Sequence, residues 1–260
     1  MSDGTEIRIL RQLALAENHR HLSIVFIGGW GTVVQNWELA LNELGQDFDV
    51  YYVETREKQS SKLTRDSVNN LDRISCDIIE VVDYFKISEH RLLLFGSSLG
   101  GLIAANTLAE KKLNPVLTIF AGPIERFYLP PISKYLILFT PVAILELARP
   151  IIRGWLQLSR SVSKFQLATY LRILDNADPR KWRSVAKHII NNTYWHLYER
   201  VHSPSLVISI SDNDKFHSGS KAEKIADLID GCQSISVPTV ADIYSKQLAE
   251  IIRNHLDSEA

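Results

Sequence analysis

Cysteine is scarce in this 260-residue chain and methionine scarcer, with two of the first and one of the second. Cys76 and Cys232 cannot build a disulfide framework and fall in no CxxC or Cys/His spacing. A stapled secreted scaffold and a zinc site are therefore both excluded from the reading. Buried free thiols are expected instead. No charge of one sign prevails: 29 basic and 30 acidic side chains leave a net charge of -1. That balance gives no field to attract nucleic acid or an anionic membrane, and neither is expected as a partner. Long hydrophobic runs are missing too. The most apolar stretch, residues 132–152, is interrupted by Lys134, Pro141, Glu146, Arg149 and Pro150. Its unbroken pieces fall far short of the roughly 20 residues a spanning helix needs. Residues 1–21 hold no apolar core followed by a small-residue cleavage site, so no secretory signal is read there. A cytoplasmic, non-integral protein is the expectation.

What is present is an ordinary globular composition, 45% hydrophobic and 23% charged, on a length that suits one large domain or a domain with an insertion. Short β-branched or aromatic runs bounded by turn residues recur along the chain. They are "IRIL" near the start, "LSIVFIGG" (22–29), "DVYYVET" (49–55), "RLLLFGS" (91–97), "VLTIFAG" (116–122), "LVISIS" (206–211) and "SISV" (234–237). Runs of this kind mark strands buried on both faces of a parallel sheet. Helical spacing separates them: 64–86, with Val68, Leu71, Ile74, Ile78, Val81, Val82 and Phe85 on one face, then 101–112, 220–230 and 242–256. The alternation predicts an α/β fold with a mostly parallel, doubly wound sheet and right-handed crossovers. It lapses between about 123 and 200, where six of the nine prolines gather and no strand pattern appears. Residues 123–200 are read as a helical cap inserted into a core of 1–122 and 201–260. No internal repeat or linker is seen.

Gly96-Ser97-Ser98-Leu99-Gly100 fits G-x-S-x-G, between a strand pattern and a helical one. Small residues must flank the serine in that sharp turn so that its hydroxyl stands clear of the sheet. Ser98 would then begin a helix, where free N–H groups favour developing negative charge. A tight turn without chemistry reads the same way. Earlier, "FIGGWGTVVQNW" (26–37) follows the second strand pattern. Here the chain resembles the α/β-hydrolase family, in particular carboxylesterase-like members whose loop reads His-Gly-Trp-Gly. The corresponding residues are Gly28, Gly29, Trp30 and Gly31, so Gly28 stands where a loop-ordering histidine is usual. The resemblance implies that the Trp30 and Leu99 N–H groups are the oxyanion donors. It also implies that Ser211-Asp212-Asn213-Asp214 is the acid turn, with Asp214 as the triad acid and Asp212 the second choice. The alternative is that these Asp and Asn residues simply cap the helix beginning near Ser218, though the position of Asp214 in chain order agrees with Ser…Asp…His.

The base is the missing part. In the family it follows the last strand, yet no histidine lies between 218 and 254. The vacancy falls between Pro238 and Ser245, where Tyr244 is the nearest polar substitute, and a phenol with a pKa near 10 is a poor base. His217, three residues beyond Asp214, is the first replacement to consider. His188, His196 and His202 follow, in or just after the insertion, while His255 lies too far along the last helix. Glu54, Arg56 and Lys58 follow a strand pattern at the carboxyl edge, near where ligands enter; they are expected on a solvated loop, with a site contact from Glu54 or Arg56 as the alternative. Tyr135, Leu136, Leu138, Phe139, Ile144 and Leu147 suit either an acyl-binding wall or the glue between cap and sheet.

The functional expectation is a serine ester or acyl hydrolase of small hydrophobic substrates, with Ser98, Asp214 and His217 as catalytic candidates and Gly29, Trp30 and Leu99 around the oxyanion. It calls for no metal or cofactor. The alternatives are a catalytically impaired ligand-binding or interaction protein, and a lyase or cyclase using the same pocket.

Overall fold

The structure, a computed structural model, describes residues 1–259 except 16, 18, 111–112, 128–134, 136–137, 159–162, 191 and 212–218. Seven strands form one sheet: β1 (Arg8–Gln12), β2 (Ser23–Ile27), β3 (Asp49–Glu54), β4 (Leu92–Ser97), β5 (Leu117–Ala121), β6 (Ser205–Ile210) and β7 (Gln233–Val237). Their order is β1-β3-β2-β4-β5-β6-β7. Only β1 runs antiparallel, against β3; every other pairing is parallel. All seven runs read as strands are strands.

The helices used below are α1 (Glu38–Leu44), α2 (Leu71–Tyr84), α3 (Leu99–Ala109), α4 (Val142–Leu158), α5 (Lys164–Asp175), α6 (Pro179–Ile189), α7 (Trp195–Tyr198), α8 (Gly219–Leu228), α9 (Val240–Ile243) and α10 (Gln247–Glu259). Two apolar layers cover the sheet. One joins Val25, Ile27, Leu92 and Leu94 to Ile78 of α2, Leu102 and Ile103 of α3 and Ile225 of α8. The other joins Ile24, Phe26, Leu93 and Phe95 to Leu44 of α1 and Leu248 and Ile252 of α10. Burial on both sides explains why the central strands are unbroken apolar runs rather than alternating ones. Every residue of α3 is buried, which fits its place directly behind the G-x-S-x-G turn.

Local chemistry sets the helix starts. Asn70 caps α2, its side chain accepting the Arg73 N–H at 2.9 Å. The helix therefore begins at Leu71 rather than at 64, and Val68 lies exposed outside it. Asp178 caps α6 in the same way, followed by proline at the first helical position.

The loop after β3 departs most from expectation. Glu54, Arg56, Glu57 and Lys58 are all buried. The Arg56 guanidinium donates to Asp77 Oδ2 and Oδ1 (2.6 and 2.8 Å) and to Asp3 Oδ2 (2.6 Å). The Arg8 fork holds both carboxylate oxygens of Glu54. Alternating charges in the sequence look like a solvated turn, but here Glu54 and Arg56 find opposite charges on distant segments, and Glu57 and Lys58 pair with each other at 2.9 Å. The cysteines also differ: both are half-buried, and burial pushes the Cys232 thiol up to about 11.

α4–α7 lie between β5 and β6. No residue of α4 is buried. Tyr135, Phe139, Ile144 and Leu147, expected as an acyl wall or as glue, turn to solvent, Phe139 and Leu147 each 75% exposed. Leu138 alone among the described members packs against the core, and Leu136 lies outside the described residues. No helix among the described residues is long and apolar enough to cross a membrane.

Candidate active site

Ser98 sits between β4 and α3 with φ 52° and ψ −113°, a backbone state that L-residues adopt only under constraint. The constraint is visible at its neighbours. A Cβ on Gly96 would lie 2.5 Å from Gly100 O, and one on Gly100 would lie 2.1 Å from Ile27 O. Both positions must therefore be glycine for β2, β4 and α3 to meet. The Ser98 N–H donates to Ala121 O at 3.2 Å, tying the turn to the end of β5. Among the described residues the Ser98 hydroxyl has no hydrogen-bond partner.

The loop after β2 runs alongside. A Cβ on Gly29 would stand 3.4 Å from Ser98 Cβ. The Gly29 carbonyl accepts from Thr32 Oγ1 (2.8 Å), Thr32 N (3.2 Å) and Lys58 Nζ (2.5 Å). The N–H groups of Trp30 and Leu99 have no backbone acceptor among the described residues. The Trp30 ring is half-buried between Phe127 (4.7 Å between centroids) and Trp182 of α6 (5.5 Å). Gly31 adopts φ 63°, and a Cβ there would meet Trp182 at 2.7 Å and Ile173 of α5 at 3.1 Å. The inserted helices thus rest directly on this loop.

The glycine at 28 has a steric reason. A Cβ there would lie 2.8 Å from Thr32 Oγ1, 3.0 Å from the Tyr52 hydroxyl and 3.2 Å from Trp37 Nε1. The space an imidazole would take is already filled. Burial, and then the Glu54 carboxylate, hold the Tyr52 phenol well above its usual pKa, so it stays protonated and faces Thr32 O at 3.4 Å.

The loop after β7 has another design. Thr239 and Asp242 form a capping box at α9, with the Thr239 N–H donating to Asp242 Oδ2 at 2.7 Å. Tyr244 lies 4.0 Å from the Trp37 ring and 5.6 Å from Phe165 of α5. Asp212, Asp214 and His217 lie outside the described residues. His188, His196 and His202 are exposed, and none is hydrogen-bonded to Ser98. Desolvation, with repulsion from Lys187, keeps the His188 imidazole below the ordinary 6.5. His255 is buried within α10.

From the sequence, Lys58 is placed at the sheet's carboxyl edge but on a solvated loop, whereas it is buried, and neither Thr32 nor Glu57 is singled out. The available signal was position: Glu57 and Lys58 follow the carboxyl end of a strand in an α/β sheet, the edge where ligand-facing loops gather. Beside them, a cavity of about 350 Å³ is lined by Gly31, Glu54, Glu57, Lys58, Ser60 and Trp182 among others.

No protein-family model matches this chain, and no curated protein does either. Solved structures match it over nearly their whole length. The chain is similar to an esterase from Exiguobacterium antarcticum, with 15% identity and a TM-score of 0.76, covering 98% of this chain and 96% of that one. It is similar to the enol-lactonase from Burkholderia xenovorans at 17% identity and a TM-score of 0.74, with the same coverages. A hydrolase from Pseudomonas aeruginosa gives 17% and 0.72, covering 96% of this chain and 93% of that one. At such identities the likeness carries the architecture and nothing finer. The sheet order, the single antiparallel edge and these neighbours agree, and the chain has the α/β-hydrolase fold.

Proposed function

We propose that this protein is a serine acyl hydrolase that cleaves small hydrophobic esters through Ser98. Ser98 Oγ attacks the ester carbonyl, and the Trp30 and Leu99 N–H groups hold the resulting oxyanion. His217 takes the serine proton and passes it to the departing alcohol, while Asp214 orients the imidazole; water then releases the acyl group by the same route. α4–α7 act as a cap, a role supported by the seating of Trp182 and Ile173 on Gly31. The observation that carries the reading is the strained backbone of Ser98 beside two unengaged N–H groups. Strain of this kind costs on the order of 1–3 kcal/mol, and it persists where the surrounding structure over-determines it, as at active sites.

A fluorophosphonate probe and p-nitrophenyl esters test the proposal. Labelling at Ser98 that disappears in Ser98→Ala, together with ester turnover, supports it. His217→Ala should then lower kcat at least about 100-fold, and an unchanged rate removes His217 as the base. A second reading, a hydrolase-fold binding protein without turnover, is favoured by the aromatic packing of Tyr244 in the loop where the family keeps its base. Absence of both labelling and turnover leaves that reading ahead.

A further inference from the structure

We propose that Lys58 and Thr32 are positioning residues of the oxyanion loop, holding the Gly29–Trp30 peptide so that its N–H faces the carbonyl attacked by Ser98; this rests on the hydrolase reading above. The peptide unit that supplies the Trp30 N–H is the one whose oxygen belongs to Gly29. A trans peptide is planar, so its C=O and N–H point in opposite directions and fixing one aims the other. Three donors converge on that one oxygen: Lys58 Nζ at 2.5 Å, Thr32 Oγ1 at 2.8 Å and Thr32 N at 3.2 Å. Side-chain and backbone donors together leave the plane little freedom. The Gly29 Cα is close enough to Ser98 for a Cβ built on it to touch the serine Cβ at 3.4 Å, so the orientation of the plane is set next to the nucleophile.

Lysine brings more than a tether. The side chain is 4% exposed, and its ammonium makes an ion pair with Glu57 Oε1 at 2.9 Å, an oxygen that also accepts the Thr55 hydroxyl at 2.9 Å. A charged donor on a carbonyl makes the stronger hydrogen bond, and it polarises the amide so that the N–H on the far side donates more strongly in turn. The loop that carries Lys58 is itself locked: Lys181 of α6 reaches the carbonyls of Lys58, Gln59 and Ser61. At Gly28, the place of the usual loop-ordering histidine, no side chain fits. The ordering force therefore comes from Thr32 on the same loop and from Lys58 on the loop after β3.

Lys58→Met, Lys58→Arg and Thr32→Val test this with p-nitrophenyl butyrate and with amide hydrogen exchange at Thr32. Lys58→Met is expected to lower kcat about 10- to 100-fold with KM within about twofold, because the lost interaction acts on the transition state. Lys58→Arg should recover most of the loss. Exchange of the Thr32 amide, which is bonded to Gly29 O, should quicken about tenfold in Lys58→Met while exchange in β4 stays unchanged. Wild-type kcat in a folded Lys58→Met protein overturns the proposal, as does an equal loss in Lys58→Arg with unaltered exchange. If Lys58→Met does not fold, Thr32→Val removes one of the three donors and should show the same pattern at smaller size; wild-type kcat and exchange there overturn it. If the wild type neither labels nor turns over, the hydrolase reading fails, and the exchange rate still decides whether Lys58 holds the loop.

Discussion

Two parts of the sheet's carboxyl edge are built on different principles. The loops after β2, β3 and β4 are buried, short of space and cross-braced by charge: Gly28, Gly96 and Gly100 have no room for a side chain, and Arg56 and Lys58 are sealed among their partners. The loop after β7 is partly open. Its order comes from a local capping box and from one tyrosine lying on Trp37 and Phe165. Close packing makes the first part intolerant of change, since neither a methyl group nor an unpaired charge can be absorbed there. The second part can change its side chains at little cost, and such changes leave the close-packed turns at Gly28, Gly96 and Gly100 intact.

The largest expected effect is on the braced side. Arg56→Met takes the two-pronged guanidinium from the Asp77 carboxylate, 2% exposed, and leaves it the single bond from Arg73; it should cost about 3 kcal/mol in urea denaturation, and a change below about 1 kcal/mol would mean that the charge network does not brace this edge. Gly100→Ala comes next. Its Cβ would overlap the Ile27 carbonyl, so about 3 kcal/mol of stability and all fluorophosphonate labelling of Ser98 should be lost together. Wild-type labelling would show that the turn has slack.

A smaller effect concerns acid. Burial alone would raise the Asp3 pKa, but hydrogen bonds from Arg56 and Thr5 outweigh it and hold the carboxyl well below its ordinary 3.8. A depressed carboxylate contributes stability that is fully present above the unfolded value and is lost as pH falls through the folded one. Wild-type stability should therefore decline below about pH 4, and Asp3→Asn should show a shallower decline; parallel curves would assign the acid limb to other groups. The smallest effect is expected on the open side. In Tyr244→Phe the ring and its packing remain, and ester turnover should stay within about twofold of wild type. A large loss there would move the proton acceptor from the acid loop to the loop after β7 and reverse the contrast between the two parts.

Much of the fold was legible in advance because it depends on local pattern. Seven apolar runs became seven strands, and the G-x-S-x-G turn was recognisable because only small residues tolerate it. The start of α2 was misread by several residues: Val68 keeps the helical spacing, but Asn70, as a cap, breaks the helix before it. The inserted helices were misread in a different way. Their apolar residues were assigned to a wall or to glue, whereas Phe139 and Leu147 face outward; hydrophobicity says that a side chain gains from burial, not which surface is there to bury it.

The sequence by itself determined the α/β architecture, the place of Ser98, and the absence of histidine from the loop after β7. These follow from residue type, spacing and chain order. Only the tertiary structure decided that Glu54, Arg56, Glu57 and Lys58 are buried, and that Lys58 ends on the carbonyl of Gly29. It also decided that Gly28 is glycine because Thr32, Tyr52 and Trp37 fill the space beside it. The physical reason is that a charge or a glycine acquires its meaning from groups distant along the chain, and no local pattern records which distant groups will meet.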